Sequence, residues 1–171
     1  MKKWLAAAAI LSTSFSAMSA DSTQCFENKY DAYIDASIHW YEDLVQMTTS
    51  EYPELNEVSN WFLEGRKHHF ELNREAVRYY LKNEPQKVAT EQSIETWLQL
   101  EQQDVKTLAQ RDDELGKIAA KSFADRQAKP HPQNYELRSA FADLLSHPKK
   151  IETALNRYNE SIQEVEATTC N

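Results

Sequence analysis

Apolar residues recur in steps of three and four along most of this chain, and the runs are punctuated by proline rather than glycine. That spacing marks amphipathic helices, because residues three and four apart share one helical face. The first run, over 23–48, carries Phe26, Tyr30, Tyr33, Ile34, Ile38 and Trp40 and continues to Met47. It predicts a helix with a wide aromatic buried face. Thr48-Thr49-Ser50 predicts a break, and Pro53 suits the first turn of a second helix over 53–82. In that helix Leu55, Val58, Phe62, Gly65, His69, Leu72, Ala76 and Tyr79 form a seam with bundle spacing.

A third segment runs from Pro85 to about residue 128 without another proline. As one straight helix it would span about 63 Å, well beyond its neighbours. Arg111-Asp112-Asp113 crosses its apolar stripe, and an aspartate there can cap a new helix, so a kink or break is expected near 110–113. Beyond the linker Lys129-Pro130-His131-Pro132, Tyr135 to Ser146 predicts a short helix. Pro148 opens a last one with Ile151, Leu155, Tyr158, Ile162 and Val165 on one seam. The only glycines are Gly65 and Gly116, and no Asn-Gly or Asp-Gly turn occurs, which disfavours sheet. The expected fold is all-α, an up-and-down bundle of four to five helices.

The ends of the chain add to this. Lys2 and Lys3 precede an apolar run from Trp4 to Leu11, and small residues lead to Ala20, the three parts of a secretory signal. Residues 1–20 are expected to be a signal peptide and 21–171 a single helical-bundle domain. The apolar run is too short to cross a bilayer, and no other stretch is uncharged for that length, so no membrane span is expected. Export implies a periplasmic protein, or one secreted further, in an oxidising compartment. Cys25 and Cys170 are then expected to form a disulfide joining the N- and C-terminal ends. They meet at one end of the bundle if the first and last helices are antiparallel.

The formal charge is −8, and it falls by two more if Lys2 and Lys3 leave with the leader. Such an acidic balance argues against nucleic acid and anionic lipid as partners, because both need clustered Lys and Arg. It permits a cationic one.

Catalytic motifs are missing: the sequence has no GxSxG turn, no HExxH and no glycine-rich phosphate loop. Non-catalytic function without a cofactor is therefore expected. Two sets of residues are candidates for binding. Trp61 lies off the main stripe of the second helix with Glu57 and Glu64 nearby, a pattern that resembles a protein-binding hot spot. His69 lies on the core seam beside Gly65, either as a satisfied buried polar residue at a close helix crossing or as a ligand. Glu64 with His68, and Asp143 with His147, have i, i+4 spacing and would make a two-His, two-carboxylate metal site if their helices were neighbours in register. Solvated faces of a chain that is 27% charged produce the same pairs without a metal. The expected function is binding to another envelope or secreted protein, of immunity, inhibitor, adaptor or chaperone type. The alternative is a metal- or small-ligand-binding bundle using His69, or His68 with His147.

Overall fold

The computed structural model describes residues 20–170. The leader expected over 1–20 therefore lies, apart from Ala20, outside the described residues. Among the described residues six α-helices appear: α1 (Ala20–Glu51), α2 (Asn56–Asn83), α3 (Gln102–Leu108), α4 (Glu114–Gln127), α5 (Asn134–Leu145) and α6 (Pro148–Ala167). The described residues are all-helical, with short 3-10 turns at Pro53–Leu55, Pro85–Lys87 and Ile94–Thr96 between the longer elements. Four to five helices had been expected, and the difference arises between residues 85 and 128.

The longest helix, α1, packs against both α2 and α6. Its ion pairs with α2 run in opposite order along the two chains: Glu42 with Lys67, Asp35 with Arg74 and Glu27 with Lys82. Those with α6 do the same, Glu51 meeting Lys150 and Asp43 meeting Arg157. Both neighbours are thus antiparallel to α1. At the end of that register Cys25 and Cys170 form the expected disulfide, their Cα atoms 5.6 Å apart. Lys29 secures the same end, donating to the carbonyls of Glu166 and Thr168 at the exit of α6.

The break expected at Thr48-Thr49-Ser50 does not occur. Each hydroxyl donates back to a carbonyl of the preceding turn, Thr48 to Leu44, Thr49 to Val45 and Ser50 to Gln46. Back-bonding of this kind lets hydroxyl residues end a helix without interrupting it. Helix α1 therefore continues to Glu51.

The third segment departs further from expectation. Its break near 110–113 is present: Asp113 caps α4 by accepting from the Gly116 N–H at 3.0 Å. Gly116 is needed there, because a Cβ would collide with the carbonyl oxygen of Arg111. Before α3, however, residues 88–101 form no α-helix. Val88, Ile94, Trp97 and Leu98 are buried, as their apolar character demands, but on irregular backbone or, for Ile94, a single 3-10 turn. Tertiary partners replace the helical ladder. The Ile94 N–H donates to the Glu166 carboxylate on α6 at 2.8 Å, and the Ala89 N–H to the Trp97 carbonyl at 2.9 Å. Trp97 stacks on Tyr30, with ring centroids 5.9 Å apart, and its indole N–H donates to the Gln92 carbonyl. Around it Ile34, Leu72, Val77, Val105 and Ala119 complete the main core.

Helix α5 packs at the opposite end. Leu137 and Ala140 join Leu55 and Val58 in a second cluster, and Leu144 joins Leu44 and Ile151 in a third. No described helix is long and apolar enough to cross a membrane.

Candidate binding groove

Helices α4 and α5 both lean on α2, α4 on its middle and α5 near its start. The proline-bearing linker from Ala128 to Gln133 carries the chain between them. The space left beside α2 is a groove of about 1140 Å³, open to solvent. Trp40, Tyr41 and Leu44 of α1 line it, as do residues of α2 from Trp61 to His69, the end of α4 and one face of α5.

Its apolar wall is a run of rings. Tyr41, Phe62 and Phe141 follow one another at centroid distances of 5.8 and 5.0 Å, and Tyr41 also meets the buried Phe70 of the core, outside the lining, at 5.7 Å. The spacing suits tilted and edge-on aromatic pairs. The Arg66 guanidinium lies 5.1 Å from both the Tyr41 and the Phe62 ring. Trp61 stands at the rim, 41% exposed, with its ring 5.7 Å from that of His131 in the linker.

Gly65 lies in the middle of α2 and lines the groove, and a Cβ there would meet nothing within 4 Å. The close helix crossing expected at this glycine is therefore absent. A helix-interior glycine costs roughly 0.5–1 kcal/mol relative to alanine. Neither packing nor a left-handed backbone requires it, since no glycine here has positive φ. Its missing side chain leaves that stretch of the lining open.

His69 also lines the groove. Arg126 donates to its Nδ1 at 3.4 Å and Asn73 stands 3.5 Å from Nε2. Burial, with the charges of Arg126 and Arg66, pushes its pKa down to about 4, so the ring is neutral near pH 7. His68 faces α4, its Nδ1 2.6 Å from Asp125 and its Nε2 3.9 Å from Glu64.

The structure brings Trp61, Glu64, His68 and His69 to one groove. Glu57 does not line it; it points outward and stands 3.6 Å from His131. Asp143 and His147 lie at the α5–α6 junction, where Asp143 accepts from the Tyr52 hydroxyl and pairs with Lys150. The metal arrangement of Glu64, His68, Asp143 and His147 is not assembled. Among the described residues no group of three or more His, Cys, Asp or Glu is placed to hold a metal ion. The two carboxylate–histidine pairs instead serve as local contacts on separate helix faces, the outcome that helical spacing alone also produces.

Three further residues of the lining, Arg66, Arg126 and Arg138, had not been singled out from sequence. A signal for them exists. Arg74, Arg78, Arg111 and Arg157 each have a glutamate three residues away, whereas Arg66, Arg126 and Arg138 have no acid three or four residues away but an aromatic instead.

Comparison with known proteins assigns no family: no family model, curated protein or solved structure matches the chain.

Proposed function

We propose that this protein is exported to the periplasm, with residues 1–20 as its leader, and folds there as a single up-and-down bundle. It acts by non-catalytic binding, receiving a protruding segment of another envelope or secreted protein in the groove beside α2. An immunity or inhibitor protein, or an adaptor or chaperone, works in this manner. The observation that carries the reading is the exposed Trp61 at the rim of an aromatic-walled groove that Gly65 lines without a side chain. Large aromatics with one wet edge are the side chains that most often anchor protein interfaces. The groove's volume of about 1140 Å³ lies above the range for small-ligand pockets, roughly 300 to 1,000 Å³, and its open side suits a chain segment.

The test is the native intact mass of the protein isolated gently from its own envelope. A chain with an added protein subunit is expected. A chain carrying only a small-molecule mass, or a bare chain under conditions that preserve other envelope complexes, would overturn the reading.

A further inference from the structure

If the groove receives another protein, the arginines of the chain bear on what that protein presents. Four of the seven are held by carboxylates: Arg74 by Asp35 at 2.6 Å, Arg78 by Glu75, Arg111 by Asp113 and Arg157 by Asp43, each of the last three at 2.5 Å. The other three, Arg66, Arg126 and Arg138, pair with no carboxylate of the described residues, and all three line the groove. In a chain with 27 acidic and 19 basic side chains, carboxylate partners are abundant. Leaving three guanidinium groups free in one place therefore needs a cause other than shortage.

Their settings suit an anion. Arg66 lies beside the Tyr41 and Phe62 rings, so the aromatic wall positions its planar fork while leaving it without a carboxylate. Arg126 and Arg138 are exposed, and among the described residues the side-chain partner of Arg126 is the neutral ring of His69. The acids on the lining, Glu64 and Asp125, both face His68, at 3.9 and 2.6 Å, and pair with none of the arginines, so three guanidinium groups stand against two carboxylates.

We propose that the groove takes an acidic segment of the partner protein. Its carboxylates would pair with Arg66, Arg126 and Arg138, and its apolar side chains would pack on Phe62, Phe141 and Leu145. This rests on the groove being the protein-binding site, and it replaces the cationic partner that net charge permits. A formal charge of −8 repels such a segment over the rest of the surface, so the arginines also fix where it docks.

Leu145 lines the groove and is 47% exposed, which makes it a suitable reporter. With Leu145 replaced by photoreactive benzoylphenylalanine, the full chain is irradiated in its own envelope and the cross-linked peptide is sequenced. The expected adduct is a peptide with net negative charge. Its yield falls about tenfold or more in the Arg126→Glu/Arg138→Glu double variant, since like charge replaces attraction. Both side chains are exposed and the double variant gives up only the Arg126–His69 contact, so it is expected to keep its fold, which circular dichroism checks. A neutral or basic adduct peptide, or a yield unchanged by the double variant, overturns the inference and leaves protein binding standing. Absence of any protein adduct from this position overturns both.

Discussion

Arg126 donates to Nδ1 of His69 at 3.4 Å, tying the end of α4 to the middle of α2 along the groove. The contact requires an imidazole whose Nδ1 is unprotonated. Burial and the nearby Arg126 and Arg66 enforce that state by lowering the His69 pKa from 6.5 to about 4.

A pH dependence follows with a definite sign. Between pH 6.5 and about 4 the unfolded chain binds a proton at His69 that the folded chain does not. The stability associated with a neutral His69 is held above 6.5 and lost as the pH falls toward about 4. His69→Gln, which keeps a polar acceptor for Arg126 but cannot titrate, is expected to flatten this loss. Urea midpoints of both proteins at about pH 7 and about pH 5 check it. Equal slopes would contradict the assignment.

The two glycines should respond in opposite ways. Gly65→Ala places a Cβ in open space within a helix and is expected to stabilise by roughly 0.5–1 kcal/mol. Gly116→Ala drives a Cβ into the Arg111 carbonyl and loosens the Asp113 cap, and is expected to destabilise by roughly 1–3 kcal/mol. Chemical denaturation of the pair distinguishes them by sign.

Two tryptophans separate stability from binding. Trp97 is 2% exposed and stacked on Tyr30, so Trp97→Ala is expected to cost about 3–5 kcal/mol. Trp61→Ala at the rim is expected to change stability far less and to weaken partner retention instead. Thermal melts and co-purification of the two variants report the contrast.

Helices α1, α2, α5 and α6 could be read from the sequence because their apolar residues keep a three-four spacing and prolines stand at their boundaries. The disulfide could be read because Cys25 and Cys170 are the chain's two cysteines and lie near its two ends, and the antiparallel α1 and α6 bring those ends together. Residues 88–101 could not. Their shape depends on the Glu166 carboxylate and the Tyr30 ring, both distant in sequence, and no local periodicity encodes either. The groove was hidden for a similar reason, since it arises from where α4 stops and α5 starts against α2. Trp61 and His69 were visible as separate oddities of one helix, but only the fold places them beside three arginines without carboxylate partners. Four of the acidic and histidine candidates, by contrast, reflected helical spacing and not a shared metal centre.

Reduction of the Cys25–Cys170 bond releases a loop closed over 145 residues. In the chain-entropy model that costs about 5 kcal/mol, and the Cys25→Ser/Cys170→Ser double variant should lose a similar amount. Urea unfolding with and without reductant measures the loss, and a change below about 1 kcal/mol would contradict an unfolded-state role for the crosslink.

Gly65 offers the most direct test of the groove itself. Gly65→Leu is expected to fill the floor without a backbone clash, since the space above it is open and its backbone is ordinary helix. The variant should melt at or above the wild-type temperature yet lose its partner subunit in native mass measurements of protein drawn from the envelope. Retention of the partner by a folded Gly65→Leu protein would show that binding occurs elsewhere, and would contradict the account.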